Sequence, residues 1–245
     1  MVATSGQRPA TTVTAVIFDL DGVIVDSEIW WHQERVAWAL ELGLKWTLED
    51  SRAVMGANSR AWARIMRERM DLPVAQEPGI EAEIVRRVVG RYNGGAPAIP
   101  GAVDTIRRIA ARWPIAIASS AHREVIAAAL EATRLRATIP VVVSSDEVAH
   151  GKPAPDVYLA AARRLGVEPV GCLVVEDSLN GVRAARAARM IVVLIPNESV
   201  PPAPEARRLA HHVLDRLSDL DPGALAVPPV SDAVTGAAAG RHPDR

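Results

Sequence analysis

Two aspartates spaced i, i+2 close an apolar run in the segment Ala15-Val16-Ile17-Phe18-Asp19-Leu20-Asp21-Gly22. On a continuing strand such side chains share a face. If the chain turns directly after Asp19, that residue stands at the strand's C-terminal tip and Asp21 bends over it. Two carboxylates brought that close repel, and both stay ionised only beside a cation or another positive partner. The residues themselves therefore describe a candidate carboxylate nucleophile assisted by magnesium. A second acidic pair, Glu176-Asp177, follows the apolar run Cys172-Leu173-Val174-Val175. Adjacent carboxylates at a strand tip suit a magnesium ion, which takes oxygen ligands in octahedral geometry.

The elements that must position these groups are legible as short apolar runs at 13–18, 115–118, 139–143, 172–175 and 191–195, with a weaker one at 211–214. Helical patterns at 102–112, 123–133, 156–165 and 181–188 separate them. Strands alternating with helices of this size predict an α/β fold, a parallel sheet covered on both faces. Ligands of such sheets bind outside the carboxyl ends of the strands, where Asp19, Ser119 and Glu176-Asp177 all fall. Between 26 and about 96 the character changes. That stretch holds five of the six tryptophans, reads helical at 30–42, 60–70 and 81–92, and contains no strand-like run. The breaks Asn93-Gly94-Gly95-Ala96-Pro97 and Pro100-Gly101 mark a return to the sheet. The expected organisation is a discontinuous core of residues 12–26 and 96–221, a smaller all-helical unit at 27–95, and a Pro/Ala/Gly-rich tail at 222–245 expected to be disordered.

At 245 residues, 49% hydrophobic and 23% charged, the chain has the make-up of a soluble globular protein with a substantial core. Its net charge of −1 creates no global field toward nucleic acid or an anionic membrane. No apolar stretch reaches the ~18 residues of a membrane span. Residues 1–12 lack the apolar core of a signal peptide, so a cytoplasmic location is expected. The single cysteine, Cys172, lies in an apolar run and reads as a buried, inert thiol. Lys45 and Lys152 are the only lysines in an arginine-rich chain. Lys45 reads as surface; Lys152, followed by prolines in Gly151-Lys152-Pro153-Ala154-Pro155, reads as functional.

The pattern Asp-x-Asp-Gly-x-x-x-Asp-Ser at 19–27 resembles the first motif of the haloacid dehalogenase superfamily of phosphohydrolases. The resemblance continues in order through Ser119, Lys152 and Glu176-Asp177, from about residue 13 to about 220, nearly the whole chain. It implies a Rossmann-like core with a helical cap inserted after the first strand. By that resemblance Asp19 is the nucleophile, forming an aspartyl-phosphate, and Asp21 the general acid/base, its backbone carbonyl also binding the metal. Ser119 bonds a phosphoryl oxygen, with Ser120 as the neighbouring alternative. Lys152 offsets the repulsion between Asp19 and the phosphoryl group. Asp19, Asp21, Glu176 and Asp177 hold magnesium, Glu176 directly or through water. The halide-removing relatives lack an aspartate at the position of Asp21, which argues against dehalogenation.

Substrate contacts in the cap are harder to name. Arg60, in Asn58-Ser59-Arg60, resembles an arginine of sugar-phosphate mutase relatives, and a solvated arginine reads equally well. His32 stands where those relatives have a histidine, and His122 just beyond the second motif. One departure is local: relatives usually place a glycine-leucine turn and an aromatic where this chain has Arg134-Leu135-Arg136-Ala137. The expected function is magnesium-dependent hydrolysis of a small phosphorylated metabolite, a sugar phosphate among the candidates. The alternatives are a phosphosugar mutase of the beta-phosphoglucomutase type and a catalytically silent scaffold. Oligomeric state is not legible in the sequence, and a monomer is compatible with it.

Overall fold

A computed structural model describes residues 12–54, 59–199 and 201–225. Six strands form one sheet in the order β3-β2-β1-β4-β5-β6: β1 (Ala15–Phe18), β2 (Ile115–Ser119), β3 (Val141–Ser144), β4 (Cys172–Glu176), β5 (Ile191–Leu194) and β6 (His212–Val213). Every pairing is parallel. Parallel strands need helical crossovers, which bury both faces, and the side chains alternate accordingly. Val16 and Phe18 of β1 and Leu173 and Val175 of β4 enter one apolar cluster. Ala15 and Ile17, with Cys172 and Val174, enter the other. The expected α/β core and its Rossmann-like strand order are therefore present.

The strand order reverses between β1 and β4, and a crevice opens there at the carboxyl ends. Val16 pairs with Leu173 and Phe18 with Val175, so Asp19 and Glu176 leave the sheet side by side. The sixth strand, faint in the sequence, is two residues long at the sheet edge.

Directly after Asp19 the chain makes the anticipated turn. Gly22 takes a φ of +80°, and its amide donates to the Val25 carbonyl at 2.7 Å. The Ile24 carbonyl accepts from Ile99, and the Asp26 amide donates to the Pro97 carbonyl. The outgoing and returning strands of chain thus run side by side. Between them lie α1 (Glu28–Glu41), α2 (Leu48–Val54), α3 (Ser59–Arg69) and α4 (Glu77–Arg91), with no strand among the described residues. Asn58, expected to open the third of these helices, lies outside the described residues.

On the sheet's faces sit α5 (Ala102–Ala110), α6 (Arg123–Ala132), α7 (Asp156–Leu165), α8 (Leu179–Ala187) and α9 (Pro204–Leu209). Residues 222–225 of the expected tail are described: Asp221 accepts from the amides of Gly223 and Ala224, and Leu225 packs on the core. Residues 226–245 lie outside the described residues.

The local departure after α6 resolves into a Schellman turn. Leu135 N–H reaches the Leu130 carbonyl and Arg134 N–H the Glu131 carbonyl, while Leu135 and Ile139 fill the core. Arg134 holds the left-handed position at φ +56°, where a glycine lacks the Cβ penalty. Arg134→Gly is expected to leave the fold intact and raise the unfolding free energy by up to about 1 kcal/mol, read by urea titration. A loss of stability would contradict this account of the turn.

Candidate active site

Lys152, in the loop between β3 and α7, reaches back beneath the strand tips. Its ammonium lies 2.6 Å from Asp19 Oδ1 and 2.6 Å from Glu176 Oε1, with the Tyr158 ring 4.8 Å away. All three ionic groups are buried. Burial alone would lower the Lys152 ammonium, but the Asp19 and Glu176 carboxylates reverse that and hold it above the ordinary lysine range. Glu176 is opposed by burial yet held below its ordinary value, chiefly by Lys152.

Both oxygens of Glu176 are engaged. Oε1 accepts from Lys152 and from the Tyr158 hydroxyl at 2.6 Å. Oε2 accepts from the Asp177 and Ser178 amides and the Ser178 hydroxyl. Ser178 is also the N-cap of α8, accepting from Gly181 N–H at 3.0 Å. A Cβ on Gly181 would lie 1.6 Å from Glu176 Oε1, so only glycine lets this helix start approach the carboxylate.

The remaining acids carry an excess of negative charge. Burial raises Asp19 to about 8 against the pull of Lys152, with Glu176 and Asp21 adding to the rise. Burial also raises Asp21, and burial with Glu176 and Asp19 raises Asp177 well above the carboxylate range. Oxygens of Asp19, Glu176 and Asp177 lie within 4.8 Å of one another. Hard oxygen donors so close, with carboxylates biased toward holding protons, fit a magnesium ion. Asp21 accepts from the Ser27 hydroxyl and faces the same crevice.

Above these groups lies a cavity of about 270 Å³ that Asp19, Asp21, Ser119, Ser120, Lys152 and Asp177 all help to line. Ser119, at the end of β2, is buried and accepts from the Ala121 amide at 3.0 Å. The N-cap of the following helix is His122, not Ser120.

Three expected substrate contacts fall elsewhere. Arg60 is exposed on α3 and does not line the cavity. His32 Nδ1 lies 2.8 Å from the Ser51 hydroxyl, tying α1 to α2. His122 Nε2 lies 3.7 Å from Asp146, and His122 does not line the cavity. Cys172 is a core thiol, pushed up to about 12 by burial.

Sequence reasoning missed the cap's own contribution. Glu28, Trp31 and Arg35 stand on one stripe of α1 and, with Trp62 of α3, help to line the cavity. The signal was available: positions 28, 31, 35 and 39 repeat at helical spacing, and an arginine occupies what should be an apolar place on the buried stripe.

A model of haloacid dehalogenase-like hydrolases matches residues 13–189. The chain belongs to that family. Among its relatives, the probable pseudouridine-5′-phosphatase of Drosophila melanogaster is 33% identical over 227 residues, covering 90% of this chain and 96% of the relative. The fructose-1-phosphate phosphatase YqaB of Escherichia coli (strain K12) is 34% identical over 180 residues, 73% of this chain and 94% of the relative. The crystal structure of CbbY from Rhodobacter sphaeroides in complex with phosphate superposes with a TM-score of 0.74 at 26% identity, covering 85% and 96% of the two chains. Beta-phosphoglucomutase from Clostridium difficile shares the fold, with a TM-score of 0.75 at 20% identity over 86% and 94%. Among the described residues no helix of this hydrolase is long and apolar enough to cross a membrane.

Gly22 has no room for a side chain: a Cβ there would lie 1.8 Å from Asp177 Oδ2. Gly22→Ala is expected to displace Asp177 and lower kcat about 10²-fold while the protein stays folded, read by steady-state kinetics beside circular dichroism. Undiminished kcat would show that Asp177 need not hold its position.

Proposed function

We propose that this hydrolase is a magnesium-dependent phosphatase that cleaves a small phosphorylated metabolite through an aspartyl-phosphate on Asp19. The observation that carries the reading is the convergence of Asp19, Lys152, Ser119 and Asp177 on one cavity at the strand tips. The named activities of the relatives, phosphatases acting on small phosphorylated compounds, support it.

Lys152 opposes the effect of burial on Asp19 and favours its ionised form, in which Asp19 attacks phosphorus, forming its Oδ–P bond as the ester oxygen leaves. Asp21 gives that oxygen a proton. It then takes one from the water that attacks the aspartyl-phosphate, returning Asp19 and releasing phosphate. The Ser119 hydroxyl and the Lys152 ammonium bond the phosphoryl oxygens, whose charge builds during transfer. Asp19, Asp177 and the Asp21 backbone carbonyl are the groups we assign to direct magnesium coordination. Glu176, its oxygens already engaged by protein donors, adds charge and fixes Lys152. Magnesium supplies neutralisation of the clustered carboxylates and the phosphoryl oxygens. A silent scaffold has no need of Asp19, Ser119, Lys152 and Asp177 converging on one cavity, and the exposed Arg60 offers no second phosphate site inside that cavity.

Hydrolysis of p-nitrophenyl phosphate in magnesium buffer is the test. Turnover is expected, falling by about four orders of magnitude or more in Asp19→Asn and abolished reversibly by a chelator. Turnover that survives Asp19→Asn would overturn the assignment, and no turnover across a broad phosphometabolite panel would favour the silent scaffold.

A further inference from the structure

The cap side of the cavity carries an arginine and a glutamate that attract each other without touching. Arg35 is 5% exposed, and its guanidinium carbon lies 5.2 Å from the centroids of both Trp31 and Trp62. Its Nε is buried without a hydrogen-bond partner. Glu28, two turns earlier on α1, lines the same cavity. Among the described residues neither forms an ion pair within 4.0 Å, with the other or with any third group. An unpaired buried donor is costly, more so when charged, so Arg35 is built for a ligand rather than for the fold. Both indoles pack against the guanidinium, and Arg35 is among the residues that line the cavity.

We propose that Arg35 and Glu28 read hydroxyl groups at the distal end of the substrate, selecting phosphate monoesters of neutral polyhydroxy compounds over those ending in a second anion. The inference rests on the phosphatase reading and names the substrate class that this cavity selects. Arginine only donates, and Glu28, pushed up to about 7 by burial and by Asp21, accepts in its ionised form, so a ligand bridging the two is best served by hydroxyls, which do both. A distal carboxylate or phosphate would pair with Arg35 but stand against Glu28 and the acids of the crevice. A bare alkyl chain would leave the Arg35 donor buried and unpaired, the situation that gives hydrogen-bonding sites their strongest discrimination. The cavity, about 270 Å³, matches a compact monoester.

Three six-carbon monophosphates that differ only in the rest of the chain supply the test: sorbitol 6-phosphate, hexyl phosphate and 6-phosphogluconate. The wild-type kcat/KM is expected to favour sorbitol 6-phosphate over each of the others by about tenfold or more. In Arg35→Met the preference over hexyl phosphate shrinks to within about threefold, and Arg35→Lys restores part of it. In Glu28→Gln the discrimination against 6-phosphogluconate shrinks instead. These are ratios within one preparation, so a partly misfolded variant leaves them unchanged. An unaltered ratio in Arg35→Met, or a wild-type preference for 6-phosphogluconate, would overturn the proposal. So would hydrolysis of p-nitrophenyl phosphate with none of the three esters accepted, which would leave the phosphatase reading standing. If p-nitrophenyl phosphate is not hydrolysed either, that reading fails. Calorimetric binding of the three esters to Asp19→Asn, with and without Arg35→Met, then still judges Arg35 by the same order of affinities.

Discussion

One lysine ammonium shared by two carboxylates organises this molecule. Lys152 comes from one loop, Asp19 from the tip of β1 and Glu176 from the tip of β4, and the three meet out of water. Such a group is costly to assemble and costlier to break: removing one partner of a buried ion pair typically costs about 3–5 kcal/mol, because the charge left behind has no solvent. Tyr158 and the start of α8 complete the hydrogen bonds of Glu176, which turns the triad into a fixed support for Asp19. The same charge that holds the fold's centre together aligns the carboxylate at the cavity floor.

The surrounding architecture follows from bringing these groups to one point. A parallel sheet ends all its strands on the same side, and the reversal of strand order places β1 and β4 next to each other. Two glycines then remove the steric obstacles. Gly22 lets the loop after Asp19 pass against Asp177, and Gly181 lets the first turn of α8 close on Glu176. Core and cap both line the cavity: the strand tips and their loops bring the acids and Lys152, the helices of the cap bring Arg35 with Trp31 and Trp62 packed against it.

What could be read from the chain divides along that line. Strand-tip residues were legible because an apolar run names its own end, and Asp19, Ser119 and Glu176 each sit within one position of such an end. Lys152 stood out through the rarity of lysine and the prolines after it. The cap was different. Arg60, His32 and His122 stand out by type and resemblance, but helix packing decides which face meets the cavity, and none of the three lines it. Arg35 had a readable signature, a charge on the buried stripe of α1, but an arginine-rich composition masked it. The turn at Arg134 went unread for a related reason: a Schellman turn is defined by backbone hydrogen bonds, and here arginine takes the position that glycine favours.

The claim on which everything else rests is that Asp19, held by Lys152, becomes covalently phosphorylated. Quenching the enzyme during steady-state turnover with borohydride, which reduces an acyl phosphate to the alcohol, followed by peptide mass spectrometry, tests it directly. The account predicts homoserine in place of aspartate at position 19, dependent on substrate and absent when Lys152 is replaced by methionine. Conversion at another acidic residue, or turnover with no conversion at position 19, would contradict it.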